Sequence, residues 1–143
     1  MSAPEPTVSV VVVSYNTKEM TLECLRSVCR ETSVPYQLIV VDNASTDGSP
    51  DAIAQEFPDV DFLREPENFG FALANNKAIT EYARGEYVLL LNPDTVVLDG
   101  AIDKVVAFAR ANPMARIWGG RTLFGDRSLN PTSCWRRLTL WNV

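Results

Sequence analysis

Along the chain, unbroken runs of β-branched and aliphatic residues alternate with stretches whose apolar positions recur every three or four. The run VSVVVVSYN, Val8 to Asn16, is almost continuously β-branched, the pattern of a strand buried on both faces, as in a parallel sheet. It leads into TKEMTLECLRSVCRE, where Cys24, Leu25, Val28 and Cys29 share one helical stripe and charges take the other side. YQLIVVDNAS repeats the buried strand with a polar end. DGSPDAIAQEF predicts a helix with Ser49 as N-cap, Pro50 at the first helical position and Asp51 in the first turn. VDFLREP reads as a short third strand. NFGFALANNKAITEYARG reads as a helix with Phe71, Ala74, Ala78 and Tyr82 inward and Gly85 as its stop. YVLLLNPDTVV opens with a fourth buried strand at Tyr87, and a helix is expected over Ala101 to Ala111. Four alternations joined by short connections predict a doubly wound, mostly parallel α/β sheet.

Such sheets bind ligands outside the carboxyl ends of their strands. The first strand ends in Ser14, Tyr15 and Asn16, the second in Asp42, Asn43, Ser45 and Asp47, and the fourth in Asn92, Pro93 and Asp94. The loop before the third helix adds Asn68 and Gly70. A carboxylate such as Asp42 can accept the imide N3–H of uracil or thymine. Asn43 or a backbone N–H can serve the flanking carbonyls, with a ribose toward Ser14 or Asn16. Pro93 stiffens the turn that presents Asp94, and a hard carboxylate facing a diphosphate suits Mg²⁺ or Mn²⁺. Plainer explanations stand beside these. DNAST with DGS is also an Asx turn and helix cap, Asn92-Pro93-Asp94 a type I turn, NNKAI a solvated helix face, and Cys24 and Cys29 core thiols.

Composition narrows the chemistry. A chain of 143 residues with 46% hydrophobic and 22% charged residues is long enough for one domain with a real core. The net charge of −5 argues against a nucleic-acid partner. With no histidine in the chain, a histidine base, a Ser-His-Asp triad and a His/Cys zinc site are excluded. Three cysteines without a CxxC pair fit a reducing, cytoplasmic setting. MSAPEPT reads as a disordered lead-in without the apolar core of a signal peptide, and no apolar run is long enough to span a bilayer. The tail from Ile117 is looser. There Trp135, Arg136, Arg137 and Trp141 mix aromatic and basic residues, as a surface packed on further chain does, with a surface near anionic lipid or a lipid-linked acceptor as the other reading.

In this order and spacing, VSVVVVSYN, LIVVDNASTDGS, NFGFALANNKAI and YVLLLNPDTVV resemble the N-terminal half of inverting glycosyltransferases of family 2. The resemblance runs from about Val8 to Pro113 and points to the rhamnosyltransferase-like branch with the GT-A fold, a Rossmann-like nucleotide-diphospho-sugar transferase fold. It implies a dTDP- or UDP-sugar donor, a divalent cation (Mn²⁺ or Mg²⁺), and transfer with inversion to a hydroxyl of a saccharide or lipid-linked saccharide in polysaccharide or cell-wall synthesis. The setting implied is the cytoplasm, with peripheral contact to the inner face of the membrane. Ser14, Tyr15 and Asn16 then line the nucleotide pocket, Asp42 binds the base with Asn43 and Ser45 beside it, and Asn68, Gly70 and Asn75 lie along the donor. Asn92 and Asp94 occupy the place of the family's Asp-x-Asp motif, with Asp94 as metal ligand and Asn92 as a neutral replacement for the first Asp. The family's general base is a carboxylate well downstream, and nothing around Asp126 marks it as that base. The chain is therefore expected to be a piece of a longer enzyme, with the base beyond Val143. Residues 1–7 would be lead-in, 8–116 the nucleotide-sugar domain and 117–143 the start of an acceptor-side region. The alternative is a non-catalytic nucleotide-binding module. A phosphotransfer loop at NPDTVV would need a carboxylate where Asn92 stands.

Overall fold

The computed structural model describes residues 5–131. Strands β1 (Val8–Ser14), β2 (Tyr36–Asp42), β3 (Asp61–Arg64) and β4 (Tyr87–Leu91) alternate with helices α1 (Lys18–Glu31), α2 (Ser49–Glu56), α3 (Gly70–Glu81) and α4 (Ala101–Ala111). The order is β3-β2-β1-β4, and every pairing is parallel. All seven residues of β1 are buried, which the unbroken valine run requires of a central strand. The chain winds outward from β1 to β3 and then crosses to β4. The direction of winding thus reverses between β1 and β4, which is where such sheets open a crevice at their carboxyl ends.

Alternation along each strand divides the core in two. Val8, Val10, Val12, Leu38 and Val40 face α1, α2 and α4, meeting Leu25, Val28, Ile53, Ile102 and Val106. Val11, Val13, Ile39, Val41 and Leu63 face α3, which offers only the small side chains of Ala74 and Ala78. That helix covers β1 to β3 and leaves β4 largely bare on this face: Val88 is 41% and Leu90 47% exposed. The fourth strand, expected to be buried, is a half-exposed edge among the described strands.

Three further expectations are corrected. Phe71 and Tyr82 are exposed, because α3 packs through alanines that bring its backbone close to the sheet. Cys24 is buried but Cys29 is exposed, lying at the margin of the α1 stripe. Ser49 opens α2 as its first residue, behind a left-handed Gly48 (φ 83°). The capping side chain is Asp47, whose Oδ1 accepts from the Ser49 N–H at 3.0 Å and from the Ser49 hydroxyl. At the end of the lead-in, the Thr7 N–H donates to the Pro35 carbonyl and the Thr7 carbonyl accepts from the Tyr87 N–H; residues 1–4 lie outside the described residues. In the tail, Trp118 stacks edge-on against Tyr87 at 5.9 Å, and Leu123 pairs with Leu129 across a short antiparallel bridge. Cys134, Trp135, Arg136, Arg137 and Trp141 lie outside the described residues. No described helix is long and apolar enough to cross a membrane.

Candidate functional site

The carboxyl rim is built from loops that hold one another. Asn16 takes a left-handed φ of 53°, which asparagine tolerates. Its N–H donates to Ser45 Oγ at 2.9 Å, and its Oδ1 accepts from the Thr46 N–H at 2.8 Å. Asp47 bridges two helix starts, since Oδ2 accepts from the Lys18 N–H at 2.9 Å while Oδ1 caps α2. A carboxylate suits both positions, because helix N-termini carry unsatisfied N–H groups and a partial positive charge. Desolvation raises the Asp47 pKa, but the hydrogen bonds from Ser49 and the Lys18 backbone outweigh it and hold the carboxyl below its usual range. The β1–α1 and β2–α2 loops are thus one unit. Asn16 and Ser45 spend these polar atoms on holding it together, while Tyr15 stands half exposed beside them.

Ser14 does not line the rim. It is fully buried, and its hydroxyl meets Thr21 Oγ1 at 2.9 Å and Thr17 Oγ1 at 3.3 Å, tying β1 to α1. Asn43 is also committed. Its Nδ2 donates to Asn68 Oδ1 at 2.7 Å, and its Oδ1 accepts from the Phe69 N–H at 3.0 Å. Those two bonds take one of the two amide N–H groups that could have served a base's carbonyls, together with the amide oxygen, and they fix the loop that begins α3. Asn68 Oδ1 also accepts from the Gly70 N–H at 2.8 Å. Gly70 has a φ of 77°, and no atom lies within 4 Å of the place a Cβ would occupy. Gly70→Ala is therefore expected to cost only backbone strain, about 1–2 kcal/mol, read as a modest fall in the urea midpoint. Asn75 is buried and its Nδ2 donates to the Phe71 carbonyl within α3. Nor is NNKAI only a solvated face, because Lys77 Nζ sits 2.8 Å from a carboxylate oxygen of the buried Glu65.

Asp42 is the exception among these spent groups. It is 1% exposed, and Oδ2 accepts from the Ser45 N–H at 2.9 Å, while Oδ1 is buried with no hydrogen-bond partner. Leaving such an acceptor unmade costs about 1–3 kcal/mol. The oxygen is covered in this structure.

Across the crevice, the Thr95 N–H donates to the Asn92 carbonyl at 3.1 Å, closing the turn through Pro93 and Asp94. The plainer reading of a turn therefore holds, and it leaves Asn92 and Asp94 both exposed on a proline-stiffened bend. Behind the turn lies the Cys24 thiol, 3.6 Å from the Asn92 carbonyl. Burial, and secondarily the charge of Asp94, push its pKa up to about 12. Among the described residues no three His, Cys, Asp or Glu side chains cluster as a self-sufficient metal site. A concavity of about 750 Å³ lies at the opposite end of the sheet, lined by Tyr36, Phe57, Asp61 and Arg84 among others.

Nothing in the sequence singled out Thr17, Thr21 and Ser27, whereas the capping role of Asp47 is the one that the plainer reading of DGS, as an Asx turn and helix cap, gave it. The Asp-Gly-Ser spacing carried that signal, since an Asx side chain two residues before a helix start is a cap.

A parallel sheet with the buried carboxylate of Asp42 on one side of its carboxyl rim and the exposed Asn-Pro-Asp turn on the other is the frame of this site. The model of glycosyl transferase family 2 matches residues 9–142, and the chain belongs to that family. It is 32% identical over 126 residues to TuaG of Bacillus subtilis (strain 168), named as a teichuronic acid biosynthesis glycosyltransferase, covering 85% of this chain and 49% of TuaG. It is 29% identical over 134 residues to an N-acetylglucosaminyl-diphospho-decaprenol L-rhamnosyltransferase of Mycobacterium tuberculosis, covering 87% of this chain and 44% of that protein. The chain spans about half the length of these curated relatives. Among solved structures, the mannosyltransferase PcManGT of Pyrobaculum calidifontis, in complex with GDP-Man and Mn²⁺, superposes with a TM-score of 0.66 at 31% identity, over 74% of this chain and 33% of that one. TarS of S. aureus in complex with UDP-GlcNAc shares the fold at a TM-score of 0.65 and 24% identity, over 75% of this chain and 32% of that one.

Proposed function

We propose that this chain carries the donor-binding half of a glycosyltransferase that moves a sugar from a nucleoside diphosphate to an acceptor hydroxyl with inversion. The observation that carries the reading is Asp42, a buried rim carboxylate with one committed oxygen and one without a partner. A single free acceptor matches the single imide N–H of uracil or thymine. Guanine, with adjacent N1–H and amino donors, asks for two. This favours a UDP- or dTDP-sugar here, although PcManGT holds GDP-Man. A rhamnosyl donor and a lipid-linked acceptor are supported by the likeness to the M. tuberculosis protein, and such an acceptor would bring the enzyme to the inner face of the membrane.

One exposed carboxylate, Asp94, fits a Mg²⁺ or Mn²⁺ that takes its remaining oxygen ligands from the donor's phosphates and water. When bound, that cation would supply charge neutralisation for the leaving diphosphate. Inversion is a single displacement: the acceptor oxygen attacks the anomeric carbon, the bond to the diphosphate breaks, and a base takes the hydroxyl proton. Asp126 is poorly suited to be that base. Hydrogen bonds from the Ser128 hydroxyl and N–H hold its carboxyl below the usual range.

Thermal-shift titrations with UDP, dTDP, GDP and ADP, each with and without Mn²⁺, test the reading. A ligand at about a hundred times its Kd stabilises by about 2.7 kcal/mol, which is a shift of several degrees. UDP and dTDP are expected to produce it with Mn²⁺, and Asp94→Asn to remove the metal-dependent part. A larger shift with GDP would reverse the base assignment. No shift with any nucleotide would remove the donor-site reading.

A further inference from the structure

We propose that Ser27 and Cys24 of α1 are positioning residues that seat the Asn92–Val97 loop and so set the direction in which Asp94 is presented. The inference rests on the reading of Asp94 as the metal-side carboxylate.

The loop is fastened at both ends by one face of α1. At its far end the buried Val97 N–H donates to Ser27 Oγ at 2.9 Å. Ser27, itself fully buried, donates its own proton to the Cys24 carbonyl one turn back, at 2.7 Å. A helical serine often bonds back to its own helix in this way. Here that bond orients the hydroxyl so that a lone pair faces Val97. At the near end, the Cys24 thiol donates to the Asn92 carbonyl at 3.6 Å, the same oxygen that accepts the Thr95 N–H and closes the turn. Between the two fastenings, Pro93 removes one backbone rotation, and Asn92, Asp94 and Val96 are exposed. The inner side of this loop is therefore fastened to α1, while its outer side faces solvent.

The arrangement matters because, among the described residues, no cluster of further carboxylates or thiols is offered to the cation. In a site with several protein ligands, an error in one is absorbed by the others. Where a lone carboxylate meets a diphosphate, a small misdirection passes straight into metal affinity. The same helix also holds the base side, since Thr21 bonds Ser14 and the Lys18 N–H bonds Asp47. One rigid element thus spaces the base-binding and metal-binding ends of the crevice.

A purely structural role would lower stability and leave metal-dependent binding intact, so the two are separable. Calorimetric titration of UDP, with and without Mn²⁺, would compare wild type with Ser27→Ala, Cys24→Ala, Cys24→Ser, Asp94→Asn and the Ser27→Ala/Asp94→Asn double variant. Ser27→Ala is expected to remove about ten-fold of the affinity that Mn²⁺ adds, while metal-free UDP binding is unchanged. It should have no further effect in the Asp94→Asn background. Cys24→Ala should lose a smaller part, and Cys24→Ser, which keeps a donor, should restore it. These cysteine variants decide the matter if Ser27→Ala does not fold. A full Mn²⁺ gain in folded Ser27→Ala or Cys24→Ala would overturn the positioning role. Loss of metal-free UDP binding in the same variants would overturn it too, because the damage would then not be confined to the metal side. A wild type that binds UDP with no Mn²⁺ gain, equal to Asp94→Asn, would overturn the metal reading and the seat with it.

Discussion

Gly85→Ala is expected to be the most destabilising single-methyl change in this domain, lowering stability by about 4 kcal/mol or more. The cause is close approach, not handedness, since Gly85 is not among the residues with positive φ. An added Cβ would stand 2.5 Å from Ser9 N, 2.7 Å from Val8 C and 2.9 Å from Tyr87 O. All three are backbone atoms, of the central strand and of the edge strand beside it. None can yield without opening the β1–β4 ladder, and the Gly85 N–H bond to Ser9 Oγ at 2.9 Å would go with it. Against a total of about 5–15 kcal/mol for a typical domain, a loss of that size leaves a large unfolded fraction. Urea denaturation of Gly85→Ala beside Gly70→Ala reads the contrast directly. Equal midpoints would mean that the sheet can relax around position 85.

The second large effect falls on binding. Asp42→Ala is expected to weaken UDP by about 10- to 100-fold, the loss of one hydrogen bond to a charged group. Stability should fall far less. The change deprives the Ser45 N–H of its acceptor, but it also removes the oxygen that the folded state leaves unpaired, and the two act in opposite directions. Asp42→Asn should bind nearly as poorly, because its amide group brings a donor to a place where a base also donates. Parallel calorimetry and urea melts check this. Affinity that falls only in step with stability would assign Asp42 to the frame instead of the ligand.

Much of this architecture is legible in the residues because burial on both faces imposes its own spelling. A strand such as β1 has no room for polar alternation, so its valine run announces a central position. Asp42 was legible for a related reason: a carboxylate that ends an apolar strand stands at the rim whatever the strand order. Other features depend on packing that no local pattern encodes. The run of Tyr87 to Leu91 looks as buried as β1, yet α3 does not reach Val88 and Leu90. Ser14 ends its strand as a rim residue would, and only the positions of Thr17 just before α1 and Thr21 within it show that its hydroxyl turns inward. Asn43 has the right chemistry for a base, but Asn68 and Phe69, far along the chain, claim its carbonyl and one of its N–H groups.

The sheet order has a consequence for how the chain reaches this state. β1 is the first strand in the sequence and the middle one in space, and a parallel sheet contains no hairpins that could form early. Ser9 meets Gln37 across 28 positions and Gly85 across 76. Pairings of such long separation form slowly, since the entropy of closing each loop is lost before the contact rewards it. On a growing chain, β1 would emerge before the other described strands and its second neighbour, β4, after them. Through that interval the valines of β1 depend on α1 and β2 for cover, so the αβ unit directly after β1 serves as its earliest shelter as well as its permanent neighbour.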